Sequence, residues 1–218
     1  MNCPEIWIFG CSFAWGEGVD DDETFPWLIA EQLPAFSVVN FAGPGYGTTH
    51  ALIRLREALE EENRAVIAVL AHGSFHGERN VLSPQWRWIM NLSLSAEGVW
   101  GPPIAYPAAR LSTDGKLVLE EQFLGGIWSG LVGKSAFLNT IRLWLVLKSP
   151  AMARSRSEAP IVSRALLKEF AEQCSRHGVT CLIAGLIQDE VTREDLAFCE
   201  RIGVPALDIS VTLRARLC

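Results

Sequence analysis

The chain has 218 residues, 49% of them apolar and 20% charged, a composition that folds around one sizeable core and does not stay disordered. Its formal net charge of −6, with no cluster of Lys and Arg, argues against nucleic acid as a partner. The longest apolar-leaning segment, Phe123 to Leu147, is broken by Lys134, Asn139 and Arg142, so no membrane span is expected.

In chain order, Ile6 to Phe9 reads as a short buried strand that Gly10 ends. Asp22 or Thr24 is placed to cap a helix through "PWLIAEQL", with Pro26 in its first turn. Phe36 to Ala42 is a second strand, "TTHALIRLREALEEE" a strongly periodic helix, and Ala65 to Ala71 a third buried strand. Leu82 to Pro160 differs, being richer in Trp, Pro and Gly, and "RLSTDGKLVL" reads as a hairpin turning at Asp114 and Gly115. This stretch is expected to be an insertion on a single domain spanning 1–218. Arg154, Arg156 and Arg164 are read as a polar connector. "SRALLKEFAEQCSRHG" is then a helix closed by Gly178, "VTCLIAGLI" a strand, and "PALDIS" a last one. Strands alternating with helices imply an α/β layout with a mainly parallel sheet.

The amino terminus, "MNCPEIWIFG", has neither a basic leader nor a long apolar run. The six cysteines (Cys3, Cys11, Cys174, Cys181, Cys199 and Cys218) form no C-x-x-C pair. Together these features suggest reduced thiols, a cytoplasmic location and no zinc site.

Three strand ends carry unusual residues: "GCSFAWG" with Ser12, "NFAGPGYGTTH" from Asn40 to His50, and "AHGSFHGERN" from Ala71 to Asn80. In parallel sheets such ends gather at one edge, where ligand sites lie. The blocks resemble those of the SGNH or GDSL-type hydrolases. In that family the nucleophilic serine of Gly-Asp-Ser follows the first strand; here the sequence is Gly10-Cys11-Ser12. The family's glycine after the second strand corresponds to Gly43 in "NFAGPGYGTTHAL".

The resemblance implies a three-layer α/β/α, flavodoxin-like fold. It also implies hydrolysis of acyl or acetyl esters through an acyl-enzyme on Ser12. Backbone N–H groups of Ser12 and Gly43 would face the oxyanion, with a side chain of "HGSFH", Ser74 or His76, as a third donor. No cofactor is implied, and the expected partner is a small-molecule or glycan ester.

Two blocks depart from the family pattern. Its third block has Gly-x-Asn-Asp, whereas Ser74, His76 and Asn80 surround that position here. Its fourth is Asp-x-x-His; Asp208 is followed by "ISVTLRARLC", without a histidine. A serine hydroxyl needs an adjacent base to lose its proton. The sequence is therefore compatible with a chain cut or frameshifted before that block, with substitution by His72 or His76, or with a binding module that has lost turnover. A nucleotide-binding domain using "GPGYG" is a further alternative, weakened by Pro44, which removes one phosphate-facing donor.

Other features have plainer readings. Cys11 suits a small buried residue, Asp20 to Glu23 a solvated loop, and His50 and His177 helix ends. Trp86, Trp88, Trp100 and Trp128 suit either a core or an acyl or sugar groove.

Overall fold

The computed structural model describes residues 3–61, 64–96, 103–125 and 136–210. In chain order the elements are β1 (Glu5–Phe9), α1 (Ser12–Trp15), a 3-10 turn (Asp21–Glu23), α2 (Phe25–Gln32), β2 (Ser37–Asn40), α3 (Thr48–Glu61) and β3 (Ala65–His72). There follow α4 (His76–Asn80), α5 (Pro84–Ala96), β4 (Ile104–Leu111), β5 (Leu117–Leu124) and α6 (Ala136–Leu147). The chain continues through α7 (Pro150–Arg176), β6 (Thr180–Gly185), α8 (Glu190–Arg201) and β7 (Ala206–Asp208). These elements form two units: Met1–His76 with Ser163–Cys218, and Gly77–Val162.

The first unit is built on a five-stranded sheet in the order β2-β1-β3-β6-β7, and every neighbouring pair is parallel. A sheet covered by helices on its faces buries its central strands completely. The apolar runs of β1 and β3 meet that demand, with Ile8, Phe9, Ala68 and Leu70 wholly buried. Phe9 stacks on Phe41 at 5.1 Å and meets Phe170 edge-on at 5.4 Å. Thr24 proves to be the cap of α2, its hydroxyl accepting the Trp27 N–H at 3.4 Å.

The second strand is shorter than its apolar run. The Asn40 side chain accepts the Ala42 N–H at 3.0 Å and turns the chain out of the ladder. A larger correction concerns the polar connector. Arg154, Arg156 and Arg164 all lie on α7, which runs 27 residues and contains Pro160. Ser149 starts this helix, its hydroxyl accepting the Met152 N–H at 3.1 Å, and Pro150 occupies the first turn, where its missing N–H costs nothing. Helix α8 went unread; Asp189 caps it by accepting the Thr192 N–H at 2.7 Å.

The second unit contains the antiparallel pair β4 and β5, turned through Ser112 to Lys116 with Gly115 at φ +78°. Leu82, Tyr106, Ala108 and Leu124 form its core, with Trp86 packed against them. Trp86 also donates its indole N–H to the Tyr106 hydroxyl at 2.9 Å. Trp86 is thus a core residue of this unit, while Trp100 and Trp128 lie outside the described residues.

Candidate active site

The strand order places a topological switch point between β1 and β3. The chain leaves β1 for β2 on one side and returns to β3 on the other, and crevices open at the carboxyl ends of such strands. Gly10 closes β1 at this point. A Cβ there would stand 2.9 Å from the Ala14 Cβ and 3.0 Å from the Ala71 Cβ, so glycine alone lets α1 start this close to β3. Cys11 follows, fully buried, and then Ser12, half-buried, as the first residue of α1. Among the described residues the Ser12 hydroxyl makes no hydrogen bond.

Two further strand ends reach the same turn. Asn40, the last residue of β2, donates from Nδ2 to the Ala14 carbonyl at 2.9 Å. The Gly43 N–H reaches the Gly10 carbonyl at 3.4 Å. The Tyr46 ring fills the space a Gly43 Cβ would need, with its nearest atom 2.8 Å away, and stacks on His50 at 4.6 Å. From the end of β3, Phe75 stacks on Phe13 at 5.8 Å. Ser12, Gly43 and the Gly73 to His76 loop therefore share one edge of the sheet. Beside α1 a cleft of about 810 Å³ opens, lined by Trp15, Thr24, Trp27, Phe36, Val38 and Asn40.

Behind this edge lies a buried polar chain that sequence reading missed. His72 and His76 are both wholly buried. The Thr48 hydroxyl, at the start of α3, lies 3.4 Å from Nδ1 of each imidazole. His72 Nε2 lies 3.1 Å from Asp195 Oδ2 on α8, and Asp195 Oδ1 receives Arg164 Nε at 3.0 Å. Arg164 also donates to Glu194 at 2.8 Å. The Asp195 bond, against partial burial, holds the Arg164 guanidinium still more firmly protonated. Only His72 and His76 carried a sequence signal, because the other members are brought in from helices distant in the chain.

No family model and no curated protein matches this chain by comparison. Solved structures do. TesA superposes with a TM-score of 0.52 at 14% identity, over 93% of this chain and 76% of that one. The fold is that of the SGNH hydrolases. AlinE4, described as an SGNH-hydrolase family esterase, gives a TM-score of 0.48 at 14% identity, covering 94% of this chain and 76% of its own. The esterase EstA from Pseudoalteromonas sp. gives 0.48 at 10% identity, covering 94% and 77%. At these identities the likeness concerns the fold and not the reaction.

Within the SGNH fold, Ser12 follows the first strand, Gly43 the second and Ser74 the third, while Asp208 ends the last. Asp208 is occupied locally: its Oδ1 accepts the Ser210 N–H at 3.0 Å and the Ser210 hydroxyl. Ser74 is occupied too. Its N–H donates to Thr192 Oγ1 at 3.0 Å and its hydroxyl to Asp189 Oδ2 at 2.8 Å, so both donors hold the loop against α8.

Partial burial pushes the Asp189 carboxyl upward, but the Thr192 N–H and Ser74 hydroxyl outweigh it and hold the group below the usual carboxylate range. A depressed folded-state value stabilises the fold above the unfolded carboxylate pKa of about 3.9, and this is lost as pH falls through the folded one. Asp189→Asn is therefore expected to flatten the acid side of the stability curve below about pH 4, measured by urea unfolding at stepped pH. An acid limb as steep as that of the unaltered chain would contradict this role.

Proposed function

We propose that this chain is an SGNH-type serine esterase acting on small acyl or acetyl esters. The observation that carries the reading is Ser12 at the switch point, its hydroxyl uncommitted among the described residues, beside the Gly43 backbone. Ser12 Oγ attacks the ester carbonyl, and the oxyanion that forms accepts the N–H groups of Ser12 and Gly43. The Gly43 bond to Gly10, at 3.4 Å, is long for an N–H donor, so redirecting it to an oxyanion costs little. The C–O bond to the alcohol then breaks, the alcohol leaves with a proton, and water releases the acyl group from Ser12. The cleft beginning at Trp15 is the place for the acyl or glycan part.

We assign the proton-accepting role to His76. His50 Nδ1 accepts the Gly47 N–H at 3.2 Å, so in the neutral ring the proton sits on Nε2 and no acceptor remains. His72 has both nitrogens engaged. His177 precedes β6 and so lies toward the amino ends of the strands, away from Ser12. In this reading Ser74 holds the loop and is not the third oxyanion donor.

A fluorophosphonate tests the assignment. Ser12 Oγ is expected to form the bond to phosphorus as fluoride leaves, adding one phosphonyl group to the peptide that contains Ser12. Mass spectrometry of the digest locates it. No adduct under conditions that label a known serine esterase would favour a binding module of the same fold, whose support is that Asp208 is tied to its own turn.

A further inference from the structure

We propose that the cleft beside α1 takes an alkylammonium group, so that the part of the ester entering it, acyl or alcohol, carries a positive charge. This deepens the esterase reading and rests on it for the reaction; the cation site itself does not.

The cleft is built from the turn after α1. Gly16, at φ +96°, ends that helix directly after Trp15, and a Cβ on it would stand 2.3 Å from Thr24 Cγ2. The start of α2 therefore packs against the end of α1. Trp27, in the first turn of α2, comes to line the same cavity of about 810 Å³ as Trp15. The two residues are 48% and 53% exposed. Large rings left half in water around one cavity mark a binding surface and not a core. Trp15 also lies three residues after Ser12 on one helix, which makes the two side chains neighbours, with Cβ atoms about 5–6 Å apart. A group seated on Trp15 is then within reach of an ester held at Ser12.

The rest of the lining selects the occupant. Glu17 and Asp21 belong to it, and neither carboxylate has a hydrogen bond or ion pair among the described residues. No Lys, Arg or His among the described residues lines the cavity. Its half-buried polar side chains are already used. Thr24 Oγ1 donates to the Asp21 carbonyl at 2.9 Å and accepts the Trp27 N–H at 3.4 Å. The Asn40 amide donates to the Ala14 carbonyl and accepts the Ala42 N–H. A neutral sugar needs such groups to hold its hydroxyls, and an anionic chain would meet two uncompensated carboxylates. An alkylammonium group uses what remains, the indole faces and the negative charge beside them.

Binding is measured first, without turnover. Choline is titrated into the intact protein while nitrogen-15 NMR follows the indole N–H signals of Trp15 and Trp27. The uncharged alcohol with tert-butyl in place of trimethylammonium serves as its isostere, and methyl glucoside as a neutral sugar. Choline should shift both signals at concentrations where the isostere and the sugar do not. Trp15→Ala should weaken choline binding about 2–30-fold, the range from exposed to desolvated cation–π contacts. Glu17→Gln, at an exposed position where folding is not at stake, should weaken it up to about fivefold, and less at high salt.

The second arm compares two pairs of esters, each differing only by trimethylammonium against tert-butyl. One pair carries the group at the end of the acyl chain of a nitrophenyl ester, the other on the alcohol of an acetate. One charged member should have the higher kcat/KM, by about 2–30-fold, and lose that advantage in Trp15→Ala. Equal shifts by choline and its isostere, or stronger ones by methyl glucoside, would overturn the cation site. Hydrolysis that needs Ser12 but prefers neither charged ester would overturn the assignment of the cleft to substrate. Choline binding that depends on Trp15, with hydrolysis untouched by Ser12→Ala, would remove the esterase reading and leave the cation site standing.

Discussion

Ser12→Ala is expected to bring hydrolysis of a nitrophenyl acetate down to the buffer rate while leaving the unfolding curve almost unchanged. The two halves of that expectation have different causes. Removing the nucleophile eliminates the acyl-enzyme, and what survives such a loss in serine hydrolases is the smaller part contributed by binding and the oxyanion donors. The stability half follows because the Ser12 hydroxyl makes no hydrogen bond among the described residues, so its removal leaves no partner unsatisfied. The change should stay within about 0.5 kcal/mol, as for substitutions that break no named interaction. Turnover in the unaltered chain is itself expected to be slow. No imidazole among the described residues is hydrogen-bonded to Ser12 Oγ, so the base has to be brought into line when substrate binds. A leaving group as good as nitrophenolate makes the slow reaction measurable. Equal rates with and without Ser12 would end the esterase reading.

The parts of this fold legible in the sequence were those set by local chemistry. Four apolar residues before Gly10 suffice to mark β1, and Gly178 marks the end of α7 because a left-handed residue, here φ +71°, ends a helix cheaply. The three strand-end blocks also fall at one edge of the sheet, since a parallel sheet collects its carboxyl ends on one side. The start of α7 was misread through the weight given to its charges and to Pro160. The stronger signal was Ser149-Pro150, a cap followed by a proline in the first turn, where a proline fits. A lone interior proline removes one hydrogen bond and clashes with one carbonyl, which 27 residues of otherwise continuous helix can absorb. Asp189 ahead of α8 was an equally local sign that passed unread. The buried polar chain is of another kind. Thr48, His72, Arg164 and Asp195 are joined only by the folded sheet, with His72 and Asp195 separated by 123 positions. No spacing rule links them, and a histidine after a strand is as consistent with a solvated loop as with a buried imidazole.

Gly10→Ala is expected to cost more in reactivity at Ser12 than in stability. The added methyl group would meet the Ala14 Cβ at 2.9 Å, the Ala71 Cβ at 3.0 Å and the Ala71 carbonyl oxygen at 3.3 Å. None of these is the end of a flexible side chain, so the strain can be relieved only by moving backbone. Either α1 lifts away from β3 or the two strands separate, and the parallel register of β1 with β3 resists the second. Overpacking of this kind usually costs about 1–3 kcal/mol. Lifting α1 displaces its first residue, Ser12, and stretches the 3.4 Å contact between the Gly43 N–H and the Gly10 carbonyl. A displacement near 1 Å at a reacting atom is enough for about a hundredfold loss of rate. The measurement pairs urea unfolding with the rate of fluorophosphonate labelling, at a denaturant-free pH where the variant is still fully folded. Labelling that slows by about tenfold or less would mean that Ser12 reacts without the position this turn imposes. A larger loss, in a variant that unfolds cooperatively, would show that the close approach of α1 to β3 holds the nucleophile in place.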